Sequence, residues 1–443
     1  MMVGMLAAMS TAPLPPSSQA TAVARDRGDA CPGTLRLHEA DDGALARVRV
    51  PGGVLTAAQA GALLDAARRL GDGALHLTSR GNVQLRGLRG GCGTELAAAL
   101  DTAGLLPSPE HERVRNVVAS PLSGLDGRGV RDVRPWLTAL DAAVCASPAA
   151  RALSGRFLFA LDDGRGDTAA LGADVTVRAV AGAAGEALLA VGGADEALRI
   201  AGDEAPRAAL LTAEAFLQWV RESGARVWRI AELDLAPGEL LRRVRGTLAD
   251  HGIGSVPEPL PRDLSGPGAP VPGISGSALC VQAPLGLLTA GQWQEATEIA
   301  AGTSAGELRL TPWRGLVVPV PGLSAAEAAA ALARLARTGL AADPASPWLR
   351  TGACIGRPGC AKSRSDVRAD AVRGLAAAGR SPLPLYWSGC ERRCGRPPGD
   401  RIDLVAAPGG GYRLTGSTAG LPPRTAVLAD PDQLAAALAA ITP

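Results

Sequence analysis

Lysine is nearly missing from this chain: Lys and Arg together number 45, and Lys362 is the single lysine. With abundant Ala, Gly and Pro, this usage reads as a coding bias, so one arginine by itself says little about function. Histidine is scarce as well, and His38, His76, His111 and His251 show no spacing that would assemble an imidazole-rich zinc or non-haem iron site. Net charge is also small, +2 over 443 residues, which excludes an overall nucleic-acid footprint and any acidic tail. Uninterrupted apolar runs of membrane-spanning length are lacking, since the Ala-rich stretch 179–194 is broken by Glu186 and several glycines. The start of the chain is apolar but has no positive leading segment and runs into a Pro/Ser stretch over 13–18, so 1–28 is expected to be a disordered leader rather than a cleaved signal. Cysteines number eight, too few and too uneven for a secreted disulfide scaffold. A soluble chain in the reducing cytoplasm fits.

What the sequence does have is a concentration of thiols near its end. Cys354 and Cys360 enclose Ile-Gly-Arg-Pro-Gly, and Cys390 and Cys394 enclose Glu-Arg-Arg. A cubane iron–sulfur cluster needs four cysteine ligands on loops that can wrap it, and Gly356, Gly359, Gly389 and Gly395 allow close backbone approach. Zinc knuckles are tighter and often include histidine, which the first pair does not match. Cys92, Cys145 and Cys280 have no partner spacing and are expected in the core or in loops. The role of Cys31 stays open.

A second feature is internal duplication. Pro51-Gly-Gly-Val-Leu-Thr-Ala-Ala-Gln59 returns as Pro284-Leu-Gly-Leu-Leu-Thr-Ala-Gly-Gln292, and the same register carries Leu75-His-Leu-Thr78 onto Leu308-Arg-Leu-Thr311. Nearby, Arg115-Asn-Val-Val-Ala119 falls opposite Arg350-Thr-Gly-Ala-Cys354, so a cysteine-free loop in one copy faces the cysteine loop of the other. Each copy reads as strand, helix, strand. Alternation over Ala44–Val50 puts Ala44, Ala46, Val48 and Val50 on one face and Leu45, Arg47 and Arg49 on the other. Thr56 is placed to cap a helix through Leu63, Leu64, Ala67 and Leu70, which Gly71 and Gly73 stop. In the strand expected over Leu75–Arg80, His76, Thr78 and Arg80 share a face, and after the Gly81-Asn82 turn Gln84 and Arg86 repeat it. One such face is ordinarily a solvated surface. Repeated over three strands, Arg47, Arg49, Arg80 and Arg86 beside Thr78 and Gln84 form a surface suited to several carboxylates, because guanidinium forks bind them bidentately.

The segment Leu75-His-Leu-Thr-Ser-Arg-Gly-Asn-Val-Gln-Leu85, the Arg115-Asn-Val117 loop and the two cysteine pairs together resemble the sirohaem sulfite and nitrite reductases. Within that superfamily, Cys31-Pro-Gly33, Asp42-Gly-Ala-Leu-Ala-Arg-Val48 and Thr78-Ser-Arg-Gly-Asn82 are most similar to the precorrin-3B synthase family. The resemblance implies an α+β fold of two ferredoxin-like half-domains pairing about a pseudo-twofold axis, plus two α/β lobes. The expected division is a half-domain over 29–105, a lobe over 106–255, a linker over 256–272, a second half-domain over 273–342 and a cluster-bearing lobe over 343–443. It also implies that Arg80, Arg115 and Arg156, with Asn82 and Asn116, lie where the reductases contact their tetrapyrrole and anionic substrate, Arg80 and Arg115 being the catalytic candidates. One departure matters: where the reductases carry two lysines around a phenylalanine, this chain has Arg156-Phe-Leu158, so a cation needed to bind and protonate sulfite or nitrite is lost. The implied reaction is therefore oxygen-dependent hydroxylation of precorrin-3A with γ-lactone formation, in which the tetrapyrrole is substrate and sirohaem is less expected as a cofactor. The implied cofactors are a [4Fe-4S] cluster and a mononuclear non-haem iron whose ligands the histidines leave open. No glycine-rich dinucleotide fingerprint follows a convincing strand, so electrons are expected from a ferredoxin or an NAD(P)H-dependent reductase.

Overall fold

A computed structural model of the chain describes residues 29, 31–182, 185–236, 238–260, 268–397 and 399–441. The expected leader over 1–28 and residues 261–267 of the expected linker lie outside them. The first half-domain runs β1 (His38–Ala40), β2 (Gly43–Val48), β3 (Val54–Thr56), α1 (Ala57–Leu70), β4 (Leu75–Leu77), β5 (Val83–Leu88) and α2 (Gly93–Thr102). The first lobe follows with β6 (Val117–Ala119), α3 (Arg134–Ala146), β7 (Phe159–Asp162), β8 (Val175–Ala179), β9 (Glu186–Val191), β10 (Glu196–Ala201), α4 (Ala205–Ser223), α5 (Glu239–Asp250) and β11 (Val256–Pro259). The second half-domain is β12 (Gly273–Ser275), β13 (Ala278–Gln282), β14 (Leu287–Leu288), α6 (Ala290–Ala301), β15 (Glu307–Leu310), β16 (Gly315–Pro319) and α7 (Ala325–Arg337). The second lobe holds β17 (Thr351–Ala353), α8 (Val367–Arg373), α9 (Leu375–Gly379), β18 (Leu385–Ser388), β19 (Arg401–Ala406), β20 (Tyr412–Ser417), β21 (Arg424–Leu428) and α10 (Leu434–Ala439).

The duplicated sequence folds into duplicated structure. Thr56 and Thr289 each cap their helix through the backbone N–H of Gln59 and Gln292, whose side chains bond back to the cap, so both copies start α1 and α6 with the same reciprocal box. Just before each box the chain turns through a left-handed residue, Gly52 at φ 61 and Leu285 at φ 53. The half-domains then exchange strands: β3 leaves the first to pair with β15, Leu55 opposite Leu308, while β14 pairs with β4, Leu288 opposite Leu75. Their sheets run β1-β2-β5-β4-β14 and β12-β13-β16-β15-β3. Behind them α1 packs on α6, and the fully buried Trp293 donates its indole N–H to the Ala60 carbonyl at 2.8 Å. One apolar core, from Ala46, Leu63 and Leu85 to Trp293, Leu308 and Leu335, serves both halves.

The lobes are also built alike. In each, the first three strands are parallel and the next turns antiparallel, β6-β7-β8-β9 in one and β17-β18-β19-β20 in the other. Parallel strands need crossovers, supplied by α3 in the first lobe and by α8 and α9 in the second, and their carboxyl ends gather at one edge where loops can form a site.

Three boundaries differ from the sequence expectation. The stretch from 256, expected to be linker, opens with β11, which pairs antiparallel with β10 as an edge strand; an edge tolerates Pro257 and Pro259, which have no N–H to donate. β2 ends at Val48, before Arg49. β4 ends at Leu77, because the Thr78 hydroxyl accepts the N–H groups of Arg80 and Asn82 and folds the chain into a turn. Arg49 and Arg80 therefore stand beyond their strands rather than on them.

Candidate functional site

The two cysteine loops leave neighbouring parallel strands. Ala353 at the end of β17 pairs with Trp387 in β18, so Cys354 and the Gly389-Cys390 turn emerge side by side. The Gly389 N–H points at Cys354 Sγ, 3.2 Å away, and the Cys354 N–H bonds the Trp387 carbonyl. A side chain at Gly389 would collide with Ser363, which follows Cys360 in the first loop, so this glycine lets the loops touch; Arg364 N–H then bonds the Gly389 carbonyl. The Tyr386 hydroxyl holds the Cys394 carbonyl at 2.6 Å. All four thiols are free. Burial raises the Cys354 thiol pKa, with Cys394 and Cys390 adding to it, against the N–H groups of Gly389 and Gly356 that lower it. Four thiols on two glycine-relieved loops, with a backbone N–H already directed at one sulfur, fit the donor set of a cubane cluster.

Opposite these loops lies the sheet of the first half-domain. Arg47 pairs with Gln84 across β2 and β5, and Gln84 with His76 across β5 and β4, so these side chains form one row. Between the row and the loops is a cavity of about 280 Å³ lined by Arg47, His76, Thr78, Gln84, Arg86, Leu285, Arg314, Arg368, Tyr386, Cys354 and Cys394, among others. Arg86 is held by both oxygens of Asp42 and donates to the Gly359 carbonyl, tying the sheet to the cysteine loop. Arg47 Nε is buried with no hydrogen-bond partner. Burial lowers the Arg47 pKa, partly offset by Cys31 and Asp29.

The other expected contacts, Arg49, Arg80, Asn82, Arg115, Asn116 and Arg156, are not among the residues that line this cavity. Arg49 donates to the carbonyls of Arg113 and Gly155 and leaves Nη1 buried without a partner; burial first, then Arg47, pushes its pKa down to about 9. Arg80 reaches the same Gly155 carbonyl, and burial with the field of Arg229 pushes it down to about 10. Cys31 lies in this group, its Cβ close against Gly155. Asn82 and Asn116 are joined side chain to side chain, and bond the Val50 N–H and the Phe157 carbonyl, so they brace the half-domain against the lobe. Arg115 donates through Nε and Nη2 to the two oxygens of Asp141 of α3 and through Nη1 to the Leu105 carbonyl. Arg156 is exposed and stacks over Trp228 at 4.5 Å, while Leu158 is buried against Val118, Ala160 and Ala173.

Two cavity arginines, Arg314 and Arg368, were not singled out in the sequence, and His76 was placed on the polar strand face without a role. Arg314 occupies a left-handed turn position at φ 64 and bonds the Gly395 carbonyl. Arg368, one residue into α8, bonds the Cys354 carbonyl; burial, then Arg314 and Arg86, lower its pKa. His76 shares the row with Gln84, and only its position two residues before Thr78 marked it.

In the first lobe the loop after β7 takes the place of the cysteine turn after β18, and there Asp162, Asp163 and Asp167 converge. Asp162 accepts the N–H groups of Gly164, Gly166, Thr168 and Ala169, and Arg165 is held by Asp163 and Asp126. These acids close the loop on itself. A larger hollow of about 730 Å³ lies beside Thr176, Leu188 and Pro259 on the same lobe and has no cysteine in its lining. Among the described residues, no set of histidines and carboxylates converges in the cysteine-lined cavity, so it does not offer the ligands of a mononuclear iron.

Comparison with known proteins defines the class. Residues 38–102 and 274–337 each match the nitrite/sulfite reductase ferredoxin-like half domain. The fold is similar to that of the NirA protein of Mycobacterium tuberculosis, with a TM-score of 0.65 and 20% identity over 89% of this chain and 79% of that one. A ferredoxin–nitrite reductase of Synechococcus elongatus is 27% identical over 82% of this chain and 76% of its own length. A precorrin-3B synthase of Sinorhizobium sp is 30% identical over 94% of this chain and 88% of its own length. The chain belongs to the precorrin-3B synthase family within the nitrite/sulfite reductase-like superfamily. Among the described residues, no helix is long and apolar enough to cross a membrane.

Proposed function

We propose that this protein is a cytoplasmic precorrin-3B synthase, which hydroxylates precorrin-3A with dioxygen and closes a side-chain acetate into a γ-lactone in aerobic cobalamin biosynthesis. The observation that carries the reading is the cavity in which an arginine-rich sheet face, with the buried Arg47 Nε unpartnered, looks onto two of the four cysteines. Unpaired buried donors are costly, and carboxylates of a tetrapyrrole would satisfy them. Cys354, Cys360, Cys390 and Cys394 would hold a [4Fe-4S] cluster, which supplies single electrons when bound. One oxygen atom enters the product and the other leaves as water; two electrons, from a ferredoxin or an NAD(P)H-dependent reductase, and two protons complete the balance. In this reading Arg47, with Arg49 and Arg80 at the edge, binds and orients the carboxylates, Arg86 is held by Asp42 and fixes the cysteine loop beside them, and Thr78 and Gln84 offer neutral hydrogen bonds.

The relatives that reduce nitrite favour a second reading, a sirohaem-dependent reductase. Against it stands the 156–158 segment, where Leu158 is packed in an apolar cluster and Arg156 is engaged with Trp228. The reconstituted protein, given precorrin-3A, oxygen and a reducing system, is expected to yield a lactone heavier by one oxygen atom. Acidic acetone should extract no tetrapyrrole from it; stoichiometric sirohaem would overturn the synthase reading.

A further inference from the structure

Every arginine on the cavity wall is a donor, and carboxylates facing guanidinium groups are already ionised, so none of them needs a base. The cavity nevertheless contains one imidazole. His76 is 7% exposed, its Nε2 lies 2.9 Å from Asp72 Oδ2, and its Nδ1 is shielded from solvent with no hydrogen-bond partner. With Nε2–H donating to the Asp72 carboxylate, Nδ1 carries a free lone pair. The charged groups around the ring are Asp72 from the α1–β4 turn, Arg86 from β5 and Arg368 from α8. Burial lowers the His76 pKa, Asp72 opposes this, and Arg368 and Arg86 lower it further, so the surroundings favour the neutral ring. The same guanidinium groups disfavour a metal cation on Nδ1.

The duplication sharpens the contrast. At the position equivalent to His76 the second sheet has Arg309, fully buried, with Nη1 donating to the carbonyls of Pro121 and Ser123 and Nε to Glu307. That copy closes the place with structural bonds, whereas the first leaves one nitrogen without a partner on a side chain that lines the cavity beside the cysteine loops.

We propose that His76, oriented by Asp72, is the proton acceptor of the cavity, taking a proton from a weakly acidic N–H or O–H of the bound macrocycle. The bond from that heteroatom to hydrogen breaks, its electron pair stays on the substrate, and the proton resides on Nδ1 until it is released to product or water; no electrons change hands. The assignment rests on the synthase reading for its substrate. In the cluster-loaded enzyme, His76→Gln keeps a hydrogen bond but not the basicity, and should lower kcat on the order of a hundredfold with KM and cluster absorbance unchanged. Asp72→Asn removes the charge that raises the His76 pKa and should move the acid limb of the kcat/KM profile to lower pH. A kcat within threefold of wild type, or an unmoved limb, overturns the assignment. Independently of turnover, nitrogen NMR of the histidine rings, assigned through His76→Gln, should show a bare Nδ1 that shifts when precorrin-3A is added without oxygen. A resonance that stays put overturns His76 even if lactone forms, whereas a shift without lactone leaves His76 standing and sinks the synthase reading.

Discussion

Arg47, Arg49 and Arg80 feel one another's charge as well as the cost of burial, and the carboxylates of Asp29, Glu112 and Asp174 offset it in part. Glu112 is already bonded to Thr34 and Leu35. Guanidinium groups held this way disfavour the unliganded chain and become favourable only when anions reach them. Arg47→Met should therefore raise the thermal midpoint of the unliganded protein while weakening tetrapyrrole binding by about 1.5–3 kcal/mol, the range for a lost charge-assisted hydrogen bond. Thermal melts and an anaerobic absorbance titration separate the two effects; a parallel loss of both would make Arg47 structural. Arg115 offers the opposite case, since its fork is filled by Asp141. Arg115→Ala should cost about 3 kcal/mol of stability by stranding a largely buried partner, and urea unfolding should detect it with tetrapyrrole affinity little changed. A sequence shows both residues simply as arginine; only their partners tell a satisfied ion pair from a waiting one.

At the scale of elements, the site is made by strand ends. β17 and β18 are short, buried and parallel, so their loops begin at the same edge, and the contact between Gly389 and Ser363 sets how close the cysteine pairs come. Gly389→Ala removes no ligand, yet its Cβ would need the space of the Ser363 side chain. Iron content and visible absorbance are expected to drop as far as in Cys390→Ser; full iron loading would show that the loops can part without consequence. Helix starts were legible because a capping box is local, Thr56 with Gln59 and Thr289 with Gln292. The end of β4 was not. Alternation favours continuing to Arg80, but the Thr78 hydroxyl competes for the backbone N–H groups and wins at the edge of the sheet.

For the molecule as a whole, strand exchange makes each half depend on the other. β3 and β14 each complete the opposite sheet, and Trp293 bonds across the pseudo-twofold interface. Residues 29–260 and 268–441 expressed separately should each be insoluble or only partly folded, because each exposes the apolar face of α1 or α6. Coexpression should restore a stable complex, measurable by copurification and by the recovery of a cooperative melt. Independent folding of either half would show that the shared core is dispensable.

Spacing and repetition alone determined the cysteine pairs, the duplication, the cap at Thr56 and the polar strand row of Arg47, His76 and Gln84, because these depend on neighbours a few residues away or on a unit compared with itself. Which side chains meet was decided only by the tertiary structure. It set Cys354 across a cavity from Arg47, committed Arg115 to Asp141, and drew Arg314 and Arg368 in from the second half. It also left one nitrogen of His76 without a partner. Such relations follow from two half-domains closing on each other, and packing between distant segments has no periodicity that a linear chain can display.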